Sequence, residues 1–202
     1  MNHFSAKSQN PPAPDDADLL AEFRQLWAEA ASIWDRHQEE PAFEGYVSSD
    51  YMAVYEALNE LRGQVSTVLE WGSGLGVVAI MASRMGFEAY GIESEEKLVN
   101  HSIQLAQSYS AVAEFAHGNF IPAGFPWTPE HASHVVRTAT DDYDGYGELD
   151  MELRDFDLVY AYPWPDERPL FHAIMRTLGQ RGALLLTYDV REGIELIRFA
   201  NE

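Results

Sequence analysis

Residues 65–85 constrain the fold of this chain more than any other stretch. An apolar, β-favouring run from Val65 to Leu69 ends in Glu70 and Trp71, and glycines follow at alternate positions, Gly72, Gly74 and Gly76. A helix-forming run, Val77 to Met85, comes at once after them. Strand, tight glycine turn and helix in that order are how an α/β protein brings a ligand against bare backbone. Glycine allows positive φ in the turn and removes the Cβ that a ligand would strike. The spacing counts against the dinucleotide fingerprint G-x-G-x-x-G. Counted from Gly72, its third glycine would fall at Val77, whereas the glycine stands one residue early, at Gly76.

The rest of the chain extends this unit. Apolar residues at Leu19, Leu20, Phe23, Leu26, Trp27, Ala30, Ile33 and Trp34 recur at helical spacing, so the pattern predicts a helix over 15–38, capped by Asp15 or Asp16 and closed by Pro41. A second helix is predicted over 49–61, capped by Ser48 or Ser49 and ended by Gly63. Strands are then predicted at 65–70, 88–92, 112–116, 156–160 and 182–188, with one more short strand at 194–199. Helices at 76–85, 95–108 and 168–178 alternate with them. Such alternation implies a doubly wound, mostly parallel sheet with helices on both faces. The expected organisation is a loose tail over 1–14, an N-terminal helical extension over 15–63 and a binding domain over 64–202, all one domain. Residues 118–154 are a long connection between strands, rich in Pro, Gly and acids, which reads either as a lid or substrate-recognition segment or as a floppy surface insertion.

The pattern E-x-G-x-G-x-G at Glu70, Gly72, Gly74 and Gly76 resembles motif I of the class I methyltransferases that use S-adenosylmethionine (SAM). The resemblance spans 65–189 and implies a Rossmann-like methyltransferase fold, shortened at its C-terminus, with SAM as cofactor and S-adenosylhomocysteine (SAH) as product. In that family the acid and the turn hold the methionine portion, here Glu70, Gly72, Ser73, Gly74 and Gly76. Glu93 closes the second strand about twenty residues on, the place of an acid that accepts both ribose hydroxyls, with Ser94 beside it. Asn119 and Phe120 follow the third strand, where the family meets the adenine amino group and packs on the ring. Asn119 is also ordinary turn chemistry after Gly118. Tyr160, at the end of the fourth strand, joins the cofactor set. Trp71 is bulky where the family more often has a smaller apolar residue.

After it, Ala161-Tyr162-Pro163-Trp164 looks like a degraded D/N-P-P-Y/F/W motif of amino-methylating enzymes. Pro163 and the aromatic Trp164 are kept. The first polar position is Ala161, so the carbonyl that would hold a planar amino group is missing. Tyr162 and Trp164 are the candidate substrate-binding residues, through aromatic packing or cation–π contact. His117, His131, His134, Tyr162 and Asp166 are possible general bases, and no spacing selects one, so no catalytic residue is assigned.

Composition narrows the acceptor. Lys and Arg total 13 against 33 Asp and Glu, a formal charge of −20, so the summed field repels polyanions and nucleic acid is disfavoured as acceptor. A small molecule or a protein side chain is the expected acceptor. The absence of cysteine and of any membrane-length apolar run suits a cytoplasmic protein. No metal is expected. His131 and His134 beside Glu130 lie in a loop-like context, and the acidic run from Asp141 to Gly147 fails as a calcium loop, with Leu153 where the bidentate acid would stand. Two rival readings stay open: a non-catalytic interaction protein on the same fold, and an NAD(P)-dependent oxidoreductase.

Overall fold

The computed structural model describes residues 16–135, 137–140 and 143–200. The expected tail and the Asp15 cap lie outside the described residues, as do Asp141 and Asp142 of the acidic run. Helix α1 (Asp16–His37) and helix α2 (Tyr51–Leu61) precede the sheet. Then come β1 (Thr67–Trp71), α3 (Val77–Arg84), β2 (Glu88–Glu93), α4 (Glu96–Ser108) and β3 (Glu114–His117). The long connection holds α5 (Pro129–Ser133) and α6 (Gly145–Leu149), and β4 (Leu158–Ala161), α7 (Arg168–Leu178), β5 (Leu184–Asp189) and β6 (Gly193–Arg198) complete the chain.

The six strands form one sheet in the order β3-β2-β1-β4-β5-β6, parallel throughout except for β6, which runs antiparallel to β5. Strand order reverses between β1 and β4, and the crevice beyond their C-terminal ends is where open α/β sheets bind ligands. The period of two along each strand divides the core. Val68, Leu158, Leu184 and Leu186 face the layer of α1 to α4, whereas Leu69, Val159 and Leu185 face the layer of α7 and the long connection. Leu19, Phe23, Leu26, Ala30 and Ile33 form the buried stripe of α1, which joins the first layer, so the N-terminal helices share the core of the sheet.

Side chains move several predicted boundaries. Thr67 Oγ1 accepts from Asp157 N at 2.8 Å and donates to Asp155 O at 3.0 Å, and Asp157 Oδ2 accepts from Ser66 N at 2.7 Å. Those bonds replace ladder pairing, so β1 and β4 begin later than the apolar runs do. Val112, expected in the third strand, instead donates its N–H to Ser83 Oγ at 2.8 Å and is 84% exposed. The N-cap of α2 is Asp50, not Ser48 or Ser49: its carboxylate accepts from Met52 N and Ala53 N, both at 3.1 Å.

The long connection is folded onto the sheet. Asn119 N donates to Tyr143 O at 2.6 Å and Gly145 N to Asn119 O at 3.3 Å, which seats α6 beside β3. Trp71, the bulky residue of the glycine motif, finds its reason here. Its Nε1 donates to Tyr146 OH at 2.9 Å, with both residues buried, and its ring stacks on Phe120 at 4.9 Å. Tyr146→Phe leaves that indole N–H without its acceptor, and an unsatisfied buried donor costs about 1–3 kcal/mol. A urea midpoint equal to that of the wild type would show that the bond adds nothing to stability. Among the described residues no helix is long and apolar enough to cross a membrane.

Candidate functional site

A cavity of about 420 Å³ lies over the C-terminal ends of the strands and is walled on one side by residues 41–51. The register sets its floor: Glu70 of β1 sits between Gly91 and Tyr160, and Trp71 between Ile92 and Ala161. Glu70, Gly72, Ser73, Gly74, Glu93, Ser94, Asn119, Phe120, Tyr160, Tyr162 and Trp164 all line this one cavity. Gly76 does not.

The three glycines of the turn serve three purposes. A Cβ on Gly72 (φ +63) would meet nothing within 4 Å, so this is where the backbone is open to a ligand. A Cβ on Gly74 would lie 2.6 Å from the ring of Tyr46, and one on Gly76 (φ +70) would lie 2.5 Å from Phe115 and 2.7 Å from Ser102. Gly74 therefore admits an N-terminal side chain, and Gly76 lets α3 pack on β3 and α4. Gly76, expected in the cofactor set, has this packing role and stands outside the cavity lining.

Two buried carboxyls flank the turn. Glu93 Oε2 accepts from Gly74 N at 2.7 Å, and Oε1 accepts from Glu95 N at 3.0 Å and from Ser94 Oγ at 3.2 Å. Burial pushes its pKa up, against the pull of those bonds. Glu70 Oε2 accepts from Ala79 N at 2.9 Å and thereby caps the first turn of α3, whose own N-cap, Gly76, has no side chain. Burial, with the Glu93 charge nearby, raises the Glu70 carboxyl to about 8, so it is largely neutral at pH 7. Ser73 Oγ is buried and has no hydrogen-bond partner among the described residues.

Asn119 lines the cavity while its Oδ1 accepts from Ile121 N at 2.7 Å, so the turn chemistry and the site position fall on one residue. Ser49 Oγ and Tyr160 OH are hydrogen-bonded at 2.5 Å, and Tyr46 OH and Tyr51 OH at 2.9 Å. Burial raises all three phenols, that of Tyr46 to about 12, so they stay neutral. Tyr46, Ser49 and Tyr51 were not among the sequence candidates. The signal for them was the Gly45-Tyr46-Val47-Ser48-Ser49 turn before α2, whose contact with the glycine motif is purely tertiary.

At the other end, Tyr162 packs edge-on against Tyr188 at 5.1 Å, and the Arg137 guanidinium lies 4.7 Å above the Trp164 ring. Of the possible bases, Tyr162 alone lines the cavity, and burial raises its phenol. His117 bonds Ser94 O at 2.9 Å, His134 bonds Asp166 O at 3.0 Å, and the His131 ring rests on Phe125.

No family model matches the chain, and no curated protein matches its sequence significantly. Solved structures do match its fold. The RNA methyltransferase from Salinibacter ruber, crystallised with S-adenosyl-L-homocysteine, is 15% identical, covering 78% of this chain and 95% of its own at a TM-score of 0.54. The O-methyltransferase from Bacillus cereus, in complex with SAH, is likewise 15% identical, covering 90% of this chain and 70% of its own at a TM-score of 0.52. With its five parallel strands, one antiparallel edge strand and glycine turn at the switch point, the chain has the fold of the class I SAM-dependent methyltransferases.

Proposed function

We propose that this protein is a SAM-dependent methyltransferase whose acceptor is a small molecule or a protein side chain. The observation that carries the reading is Glu93. It is a buried carboxylate at the end of β2, fixed by Gly74 N and Glu95 N, facing a cavity shared with the glycine turn. It suits a ribose diol, Gly72 offers open backbone, Ser73 Oγ is a donor in want of an acceptor, and Asn119 and Phe120 border the place of a flat base.

Held by Glu93, the open backbone at Gly72 and Ser73, SAM would supply an electrophilic methyl group on a sulfonium, with the sulfur as leaving group. The protein's part is orientation and exclusion of water. Tyr46, Tyr51 and Tyr160, kept neutral by burial, hydrogen-bond without taking up the acceptor's proton. No side chain is assigned as base. The net charge of −20 speaks against a nucleic-acid acceptor, and Ala161 in place of Asp or Asn against a nucleobase amino group.

Thermal unfolding with SAM, SAH, NAD and NADP tests the reading. SAH at a hundred times its dissociation constant should add about 2.7 kcal/mol. Stabilisation by NAD or NADP alone would favour an oxidoreductase, and no shift with any of the four an interaction protein. Glu93→Ala removes hydrogen bonds to a charged acceptor, each worth about 1.5–3 kcal/mol, so SAH affinity should fall at least about tenfold. Unchanged affinity by calorimetry would sink the ribose role.

A further inference from the structure

The strand-four end of the cavity carries a charge that the cofactor reading does not use. Among the lining residues described, Arg137 is the sole Lys or Arg. Its position is built. Arg137 N and Thr138 N both donate to Glu167 Oε1 at 2.8 Å, and Glu167 is 1% exposed. Glu167 follows Trp164 by three residues, so one loop supplies both the anchor for the Arg137 backbone and the ring beneath its guanidinium. His134 Nδ1 and Asp166 O, 3.0 Å apart, tie the two segments a second time.

Asp189, a carboxylate that lines the same cavity, is engaged elsewhere. It pairs with Arg168 Nη2 at 2.7 Å and accepts from Arg191 N and Glu192 N. No carboxylate among the described residues forms an ion pair with Arg137. The surroundings are apolar: Trp164, Val47 and Val190 line the cavity and are 37%, 51% and 71% exposed, a high exposure for such side chains.

In a chain of net charge −20 the summed field repels anions, so an anionic ligand would have to be drawn by a local cation. A guanidinium fork matches a carboxylate in two parallel hydrogen bonds. We infer that Arg137 selects the acceptor, a small molecule with a carboxylate on a flat apolar body: the carboxylate meets Arg137 and the flat body lies among Trp164, Tyr162 and Val190. Glu167 is a positioning residue for this selection. The inference rests on the methyltransferase reading, because it assigns the acceptor end of the same cavity.

The test uses the full chain saturated with SAH and titrated by calorimetry with two probes, para-hydroxybenzoate and phenol, which differ only by the carboxylate. The wild type should bind the carboxylate probe about tenfold more tightly, which is about 1.4 kcal/mol. In Arg137→Gln the two probes should bind within about twofold of one another. SAH affinity of this variant should match the wild type, which also reports that it is folded. Arg137→Lys, which keeps the charge and loses the fork, should retain part of the preference. Equal binding of the probes by the wild type, no binding of either, or a preference that survives in Arg137→Gln would overturn the inference. Failure of SAH itself to bind the wild type is a separate result and would overturn the cofactor reading beneath it.

Discussion

Gly76→Ala is expected to destabilise the protein by about 2–5 kcal/mol. A left-handed backbone costs an L-residue roughly 1–2 kcal/mol, and forcing a methyl group into a packed core costs about 1–3 more. Both apply here: φ is +70, and the new Cβ would stand 2.5 Å from Phe115 and 2.7 Å from Ser102. Ser102 is fully buried in α4, its Oγ bonded to Val99 O at 2.8 Å, and cannot swing into solvent; Phe115, half-buried on the edge strand β3, can yield only by giving up its packing against the core. Gly72→Ala is the control. It bears the backbone strain alone, because nothing lies within 4 Å of its Cβ, and its methyl group would stand in the cavity. Denaturant unfolding should therefore rank Gly76→Ala well below Gly72→Ala, and SAH calorimetry should show Gly72→Ala as the weaker binder of two folded proteins. Equal stabilities would mean that Phe115 and Ser102 yield, and that Gly76 is kept for its φ alone.

This division of labour within one motif marks how far the sequence reaches. The alternation of strands and helices, the acid at the end of β2 and the glycine turn are local patterns, legible because hydrophobic period and backbone freedom are written residue by residue. Which neighbour a glycine admits is a tertiary fact. Nothing near Gly74 in the chain names Tyr46, and nothing near Trp71 names Tyr146, whose hydroxyl lies 75 residues further on. The same holds for the acceptor end. Arg137 stands in a stretch without hydrophobic period, and the tertiary bonds to the buried Glu167 carboxylate and to Asp166 O bring it to Trp164. The long connection read as lid or loose insertion because its composition is that of a loop. It is seated by backbone bonds between Asn119 and residues Tyr143 and Gly145, and backbone pairing leaves no residue signature. The N-cap of α2 misled for a related reason: of the two expected caps, Ser48 and Ser49, Ser49 is drawn off by Tyr160, and the helix is capped by Asp50.

Glu70→Gln should make the ligand-free protein more stable at pH 8 while weakening its hold on a cationic ligand. The Glu70 carboxyl titrates near 8 in the folded protein and near 4.5 when exposed, because the charged form is buried beside Glu93. Between those two values the folded state holds a proton that the unfolded state has released, so stability falls as pH rises, by up to about 1.4 kcal/mol for each pH unit in that window. Below pH 4.5 both states are protonated and the loss has not begun. The amide of Gln cannot ionise, and its oxygen can take the place of Oε2 as acceptor for Ala79 N. The variant should thus lose much of the downward slope. Part will persist, because the Glu93 pKa is also raised by burial. Urea unfolding at pH 5, 6, 7 and 8 would read this, and parallel curves for variant and wild type would show that Glu70 is not the group responsible. The same carboxyl predicts a binding signature. A sulfonium or ammonium placed beside Glu70 favours its ionised form, so binding of SAM at pH 7 should release a proton, detectable as a buffer-dependent heat in calorimetry, and Glu70→Gln should abolish that release. A heat independent of buffer in the wild type would place the positive end of the ligand away from Glu70.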